Sequence, residues 1–138
     1  MVSQDTYLFN DTIFNNLIFA KPGASLEEVR EACRMAAIDD FIMSLPDGYD
    51  SEAGLLGESL SAGERQRIGL ARAFLSGAQL ILLDEVTSNV DAINEGIILR
   101  SLKEAARERT VILVSHRAST VSICDKVYNM KNGRLLAE

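Results

Sequence analysis

The sequence predicts an α/β fold built on a parallel sheet, and three observations carry that expectation. Two apolar runs, Leu80-Ile81-Leu82-Leu83 and Val111-Ile112-Leu113-Val114, show no alternation, the pattern of strands covered on both faces. The stretch from Ala92 to about Arg107 between them reads as a helix, the usual crossover between parallel strands. Each run closes on polar residues, Asp84-Glu85 and Ser115-His116. Reactive side chains are thereby expected at the carboxyl edge of the sheet, where open α/β folds bind their ligands.

Taken in order, Met1 to Asp5 reads as the end of a strand running into a loop, with Gln4 at the exit. Asn10 or Asp11 is expected to cap a short helix carrying Ile13, Phe14, Leu17 and Ile18. Lys21-Pro22-Gly23 breaks the chain, and Ser25 with Glu28 forms a capping-box pattern opening a helix to about Ala37. Leu26, Val29, Cys33 and Ala37 share its apolar face, while Glu27, Glu28, Arg30, Glu31 and Arg34 read as a solvated face. Asp39 is expected to cap a second short helix that Pro46-Asp47-Gly48 stops. The loop Ser51 to Ser59 places Leu55 and Leu56 together as a small apolar patch.

A second capping box, Ser61 with Glu64, starts a helix with Ile68, Ala71 and Leu75 as its buried stripe and Arg65, Arg67 and Arg72 elsewhere. Asp91 is placed to cap the crossover helix. Beyond His116, Ala118 to Ile123 reads as a short helix. Lys126 to Met130 and Arg134 to Leu136 then form a hairpin about Asn132-Gly133.

The chemistry these residues suit is phosphate chemistry. A small-residue helix start such as Ser61-Ala62-Gly63 offers backbone N–H groups and the positive end of a dipole. Asp84 at a strand end can hold Mg²⁺. Glu85 can orient and deprotonate a water, and His116 on the same sheet edge can donate to a phosphate. A net charge of −6 argues against a surface for nucleic acid or anionic membrane. Two cysteines, Cys33 and Cys124, are too few for a disulfide framework and read as free thiols. No apolar run approaches the ~20 residues needed to span a bilayer.

These residues also carry a resemblance. LSAGERQR resembles the signature motif of ABC-transporter ATPase domains, LILLDE looks like their Walker B motif, and SNVD is similar to their D-loop. Gln4 in VSQDTYLF looks like the Q-loop, His116 in LVSHR like the switch histidine, and DFIMSLPDGYD resembles the exporter type. The resemblance implies a P-loop NTPase fold, here a helical subdomain plus a partial parallel sheet. No G-x-x-x-x-G-K-[ST] occurs in the 138 residues, so the Walker A strand is expected to be missing. On this reading residues 1–10 are a Q-loop stub and 11–60 the helical subdomain. Residues 61–138 are the signature helix, Walker B, D-loop and H-loop part of the core.

The resemblance further implies ATP and Mg²⁺ as ligands, with Glu85 and His116 catalytic and Asp84 and Gln4 at the metal. Ser61, Ala62, Gly63, Glu64 and Asp91 are implied to act across a head-to-tail dimer with a second ATPase domain. Transmembrane domains of an exporter are the other implied partner, on the cytoplasmic side of a membrane. Departures from the family pattern occur at Ala62, usually Gly, at Glu64, commonly Gln, and at Leu55, where exporters usually carry Glu. The function implied is ATP hydrolysis powering transport, with the chain by itself expected to be inactive. The alternative is a non-catalytic module completing a partner's ATP site in trans.

Overall fold

The computed structural model describes residues 1–3, 5–88 and 90–136. Its early half is helical. Helix α1 spans Ile13–Ile18, α2 Leu26–Met35 and α3 Asp39–Ser44, followed by single 3₁₀ turns at Gly48–Asp50 and Leu55–Gly57. Helix α4, Ala62–Leu75, then leads into strand β1, Leu80–Asp84, crossover helix α5, Ala92–Ala105, and strand β2, Thr110–Val114. A short helix α6, Ala118–Val121, and a hairpin of β3, Met130–Lys131, and β4, Arg134–Leu135, complete the described chain.

The two apolar runs pair in parallel, Leu80 opposite Thr110 through Asp84 opposite Val114. On the other edge of β1, Val2 bridges Leu83 in parallel, donating its N–H to the Leu82 carbonyl at 2.8 Å. Strand β1 is therefore central, flanked by the chain's first residues and by β2. Coverage differs from the sequence expectation: Ile81 and Leu83 are buried, but Leu80 and Leu82 are exposed, as are Ile112 and Val114 on β2. Non-alternating hydrophobicity marks strands that have two apolar faces, and here one of those faces meets solvent.

Helix α4 holds the molecule together. It packs against α1, α2 and α5, and Gly63, Gln66, Arg67, Ile68, Gly69, Leu70, Ala71, Phe74 and Leu75 are all buried, far more than a single stripe. Both expected capping boxes form. Ser25 and Ser61 each accept the N–H three residues on, while Glu28 and Glu64 return a carboxylate oxygen to the cap N–H.

Other local expectations give way to longer-range partners. Thr12, rather than Asn10 or Asp11, caps α1, its Oγ1 accepting from Asn15 at 3.1 Å. The apolar face of α2 is Val29, Ala32 and Cys33; Leu26 is 52% exposed, and Ala37 lies past the helix end with a φ of 55°. Asp39 caps nothing. It sits inside α3, buried, and accepts two hydrogen bonds from Arg30 at 3.1 and 3.0 Å and one from the Tyr49 hydroxyl at 2.6 Å. Arg30 is thereby removed from the solvated face, whereas Arg34 stays there with Glu27 and Glu31. Phe9 lies in an exposed cluster with Tyr7 and Phe19, ring centroids 5.2 and 5.1 Å away. The hairpin turns at Asn132-Gly133, both at positive φ (52° and 73°), but its first strand begins only at Met130 rather than Lys126.

Candidate functional site

The site is assembled by β1 and β2 ending side by side. Asp84 donates its N–H to the Val2 carbonyl at 3.0 Å, and Glu85 donates to the Val114 carbonyl at 2.9 Å. The acidic pair is therefore gripped from both neighbouring strands at the carboxyl edge of the sheet. Glu85 leaves the strand in the left-handed region, with a φ of 47°. Few non-glycine residues adopt that conformation, and it recurs where a side chain must be aimed. The Glu85 side chain meets His116, Oε1 lying 3.0 Å from Nδ1. An ionised carboxylate can only accept, so Nδ1 is the donor. The His116 side chain is 74% exposed, which leaves Nε2 open to a ligand.

Asp84 is also exposed at the strand end. Among the described residues no group of three or more acidic, histidine or cysteine side chains surrounds it. One carboxylate with no protein cage suits Mg²⁺, which keeps its waters and takes most of its other ligands from substrate phosphates. The Gln4 assignment lies outside the described residues.

The second cluster joins the starts of α4 and α5. Ser61 Oγ accepts from Glu64 N–H at 3.2 Å, and Glu64 Oε2 accepts from Ser61 N–H at 2.7 Å. The carboxylate that would repel an anion is thus turned back onto the cap. The first-turn N–H groups of Ala62 and Gly63 have no partner within the helix. Ala62 opens α4 with ordinary helical backbone, so the missing glycine there carries no strain. Gly63 is different: a Cβ would lie 2.6 Å from Asn94 Cγ on α5.

Asn94 is tied in turn. Its Nδ2 donates to Asp91 Oδ2 at 2.5 Å, and Arg67 Nη1 donates to its Oδ1. Asp91 caps α5 by accepting from the N–H groups of Ile93 and Asn94. The Asn94 amide and these backbone bonds hold the Asp91 carboxyl below its ordinary range. Burial opposes the charge on Arg67, while the carboxylates of Glu64 and Asp91 favour it.

The structure therefore brings Glu85 and His116 into contact, places Asp84 beside them on the same edge, and joins Gly63 to the Asp91 cap through Asn94. Sequence reading missed Asn94 and Arg67, whose role depends on two helices 27 positions apart. It also missed Arg72, which donates to the carbonyls of Tyr7 and Asn16 and to Asn16 Oδ1, locking α1 onto α4. Nothing in the local sequence of Arg72 marks it out from the other arginines of the helix.

Comparison with known proteins settles the family. A family model described as ABC transporter matches residues 1–88. The chain belongs to the ABC transporter family. A Haemophilus influenzae protein named "Probable ABC transporter ATP-binding/permease protein" is 54% identical over 97% of the chain, which covers 24% of that relative. The ABC transporter aclQ of Aspergillus oryzae is 46% identical over 99% of the chain and 17% of its own length. A solved bacterial Atm1-family ABC exporter with ATP bound superposes with a TM-score of 0.88 at 43% identity, over 99% of the chain and 24% of the exporter. This chain of the ABC family thus spans about a quarter or less of the length of these relatives. Among the described residues no helix is long and apolar enough to cross a membrane.

Proposed function

We propose that this chain is the later part of an exporter-type ATP-hydrolysing domain. On this reading residues 11–60 are the helical subdomain and 61–138 part of the catalytic core. The observation that carries the reading is the 3.0 Å contact between Glu85 and His116 at the ends of adjacent parallel strands. Glu85 is the general base that orients and deprotonates the attacking water. His116 holds the Glu85 carboxylate in place through Nδ1 and offers Nε2 to the γ-phosphate. Asp84, with Gln4, holds Mg²⁺, which when bound neutralises phosphate charge. Ser61, Ala62, Gly63, Glu64 and Asp91 face the nucleotide of a second, head-to-tail ATPase domain, and the transmembrane domains of an exporter dock on the helical subdomain. The named relatives and the ATP-bound exporter support this assignment.

The test joins this chain to the preceding segment of the Haemophilus influenzae relative. The hybrid is expected to hydrolyse ATP, and Glu85→Gln to lower turnover by ~10²–10⁴ while ATP binding persists, the usual worth of a positioned base. Undiminished turnover in Glu85→Gln would remove Glu85 from the catalytic role.

A further inference from the structure

Both flanks of His116 are stitched to the flanks of Glu85. Ahead of the histidine, the Val114 carbonyl accepts from Glu85 N–H at 2.9 Å. Behind it, Arg117 reaches back across the site. Its Nη1 donates to the carbonyl of Thr87, two residues past Glu85, and its Nη2 pairs with Glu95 Oε2 at 2.8 Å. Glu95 is a buried carboxylate in the first turn of α5, its side chain 8% exposed, and its other oxygen accepts from Ser119 at 2.6 Å. Below this pair the hydroxyls of Thr87 and Thr120 meet at 3.2 Å, also buried. The planar guanidinium fork serves two acceptors at once, which an ammonium on a flexible stem does not reproduce.

We infer that Glu95 and Arg117 are positioning residues: their ion pair fixes the His116 ring so that Nδ1 stays directed at Glu85. The consequence can be read in the ring itself. Facing an ionised carboxylate, Nδ1 carries a proton in both the neutral and the charged imidazole, so the neutral ring is held in the Nδ1–H form. His116 is 74% exposed even with the clamp in place, so once released the ring reverts toward the Nε2–H form that free histidine prefers. Neither Glu95 nor Arg117 need touch the nucleotide for this. The inference rests on the ATPase reading only for its catalytic consequence, because the tautomer is a property of the chain itself.

His116 is the only histidine of the 138 residues, so the imidazole nitrogen signals of the ¹⁵N-labelled chain belong to one ring. At a pH where the ring is neutral, the wild-type chain is expected to show the Nδ1–H pattern. Glu95→Gln and Arg117→Lys are expected to lose it while amide dispersion stays native. An Nε2–H ring in the wild-type chain overturns the inference before any variant is made. So does retention of the Nδ1–H pattern in either folded variant.

In the hybrid carrying the upstream segment, both variants are expected to lower kcat about tenfold, part of what a positioned proton-transfer group contributes. KM for ATP should stay unchanged. A rise in KM at constant kcat, with the tautomer unaltered, overturns the positioning role. An inactive wild-type hybrid together with the expected tautomer change would count against the ATPase reading and leave the clamp standing.

Discussion

Asp39 shows how a single carboxylate can take a place that local chemistry does not announce. An aspartate ahead of an apolar run is a reasonable cap, and the chain does use Ser25, Ser61 and Asp91 in that way. Asp39 instead faces Arg30 nine residues earlier and Tyr49 ten residues later. The Arg30 guanidinium holds its carboxyl below the usual 3.8, against the cost of burial. Burial pushes the neighbouring Cys33 thiol up to about 12, and Asp39 and Tyr49 are buried beside it at the edge of the apolar core. A depressed native value means that the pair stabilises the fold above the unfolded carboxylate's pKa. That contribution is lost as pH falls through the native value. Asp39→Asn should therefore cost about 2 kcal/mol at neutral pH, the scale of hydrogen bonds to a charged group. The gap between wild type and variant in denaturant titrations should close on the acid side of about pH 4. A constant gap across that range would assign the loss to packing instead.

Elements with a local signature were legible in the sequence, and elements defined by their neighbours were not. Both capping boxes, the crossover helix and the two parallel strands follow from residues within one or two turns. The placement of Glu85 and His116 on one sheet edge was legible too, because two strands of one parallel sheet must end at the same edge; their 3.0 Å contact was not. Hidden from that reading was the seam between α4 and α5, where Gly63 packs on an Asn94 held by both Asp91 and Arg67. The seam makes a prediction of its own. In an isolated helix Gly63→Ala would be stabilising by nearly 1 kcal/mol. Here the new methyl meets Asn94 atoms at 2.6 and 2.8 Å, and Asn94 is tied on both sides. Overpacking of that kind costs about 1–3 kcal/mol, so Gly63→Ala should be net destabilising by about 1 kcal/mol in urea melts. Combining it with Asn94→Ala should cost less than the sum of the single changes, since the contacts with Cγ and Oδ1 are then gone and only the one with Cβ, at 2.8 Å, remains. Simple additivity would mean that the two helices already move apart freely.

At the scale of the whole molecule the sheet is the unfinished part. Helices α1, α2 and α4 bury one another, and Ile81 and Leu83 point into that core at 1% exposure each. The opposite face of the same strands holds Leu80, Leu82, Ile112 and Val114 at 39–57% exposure, with Leu82 directly across from Ile112 in the ladder. Among the described residues β2 is paired only with β1. An uncovered apolar face beside an unpaired parallel edge favours association, since covering it removes apolar surface from water and supplies hydrogen bonds to the edge. The chain in solution is therefore expected to associate with copies of itself through this face. Light scattering should report a multiple of 15.1 kDa. A Leu82→Lys and Ile112→Lys pair places two like charges opposite each other on that face while leaving Ile81 and Leu83 in the core. It should return the mass to that of one chain without loss of helical signal. Joining the preceding segment of the Haemophilus influenzae relative should have the same effect if that segment covers the face. A wild-type chain that stays monomeric would mean that the face is tolerated in water. A double variant that stays associated would move the contact to the exposed Tyr7, Phe9 and Phe19 cluster or the hairpin.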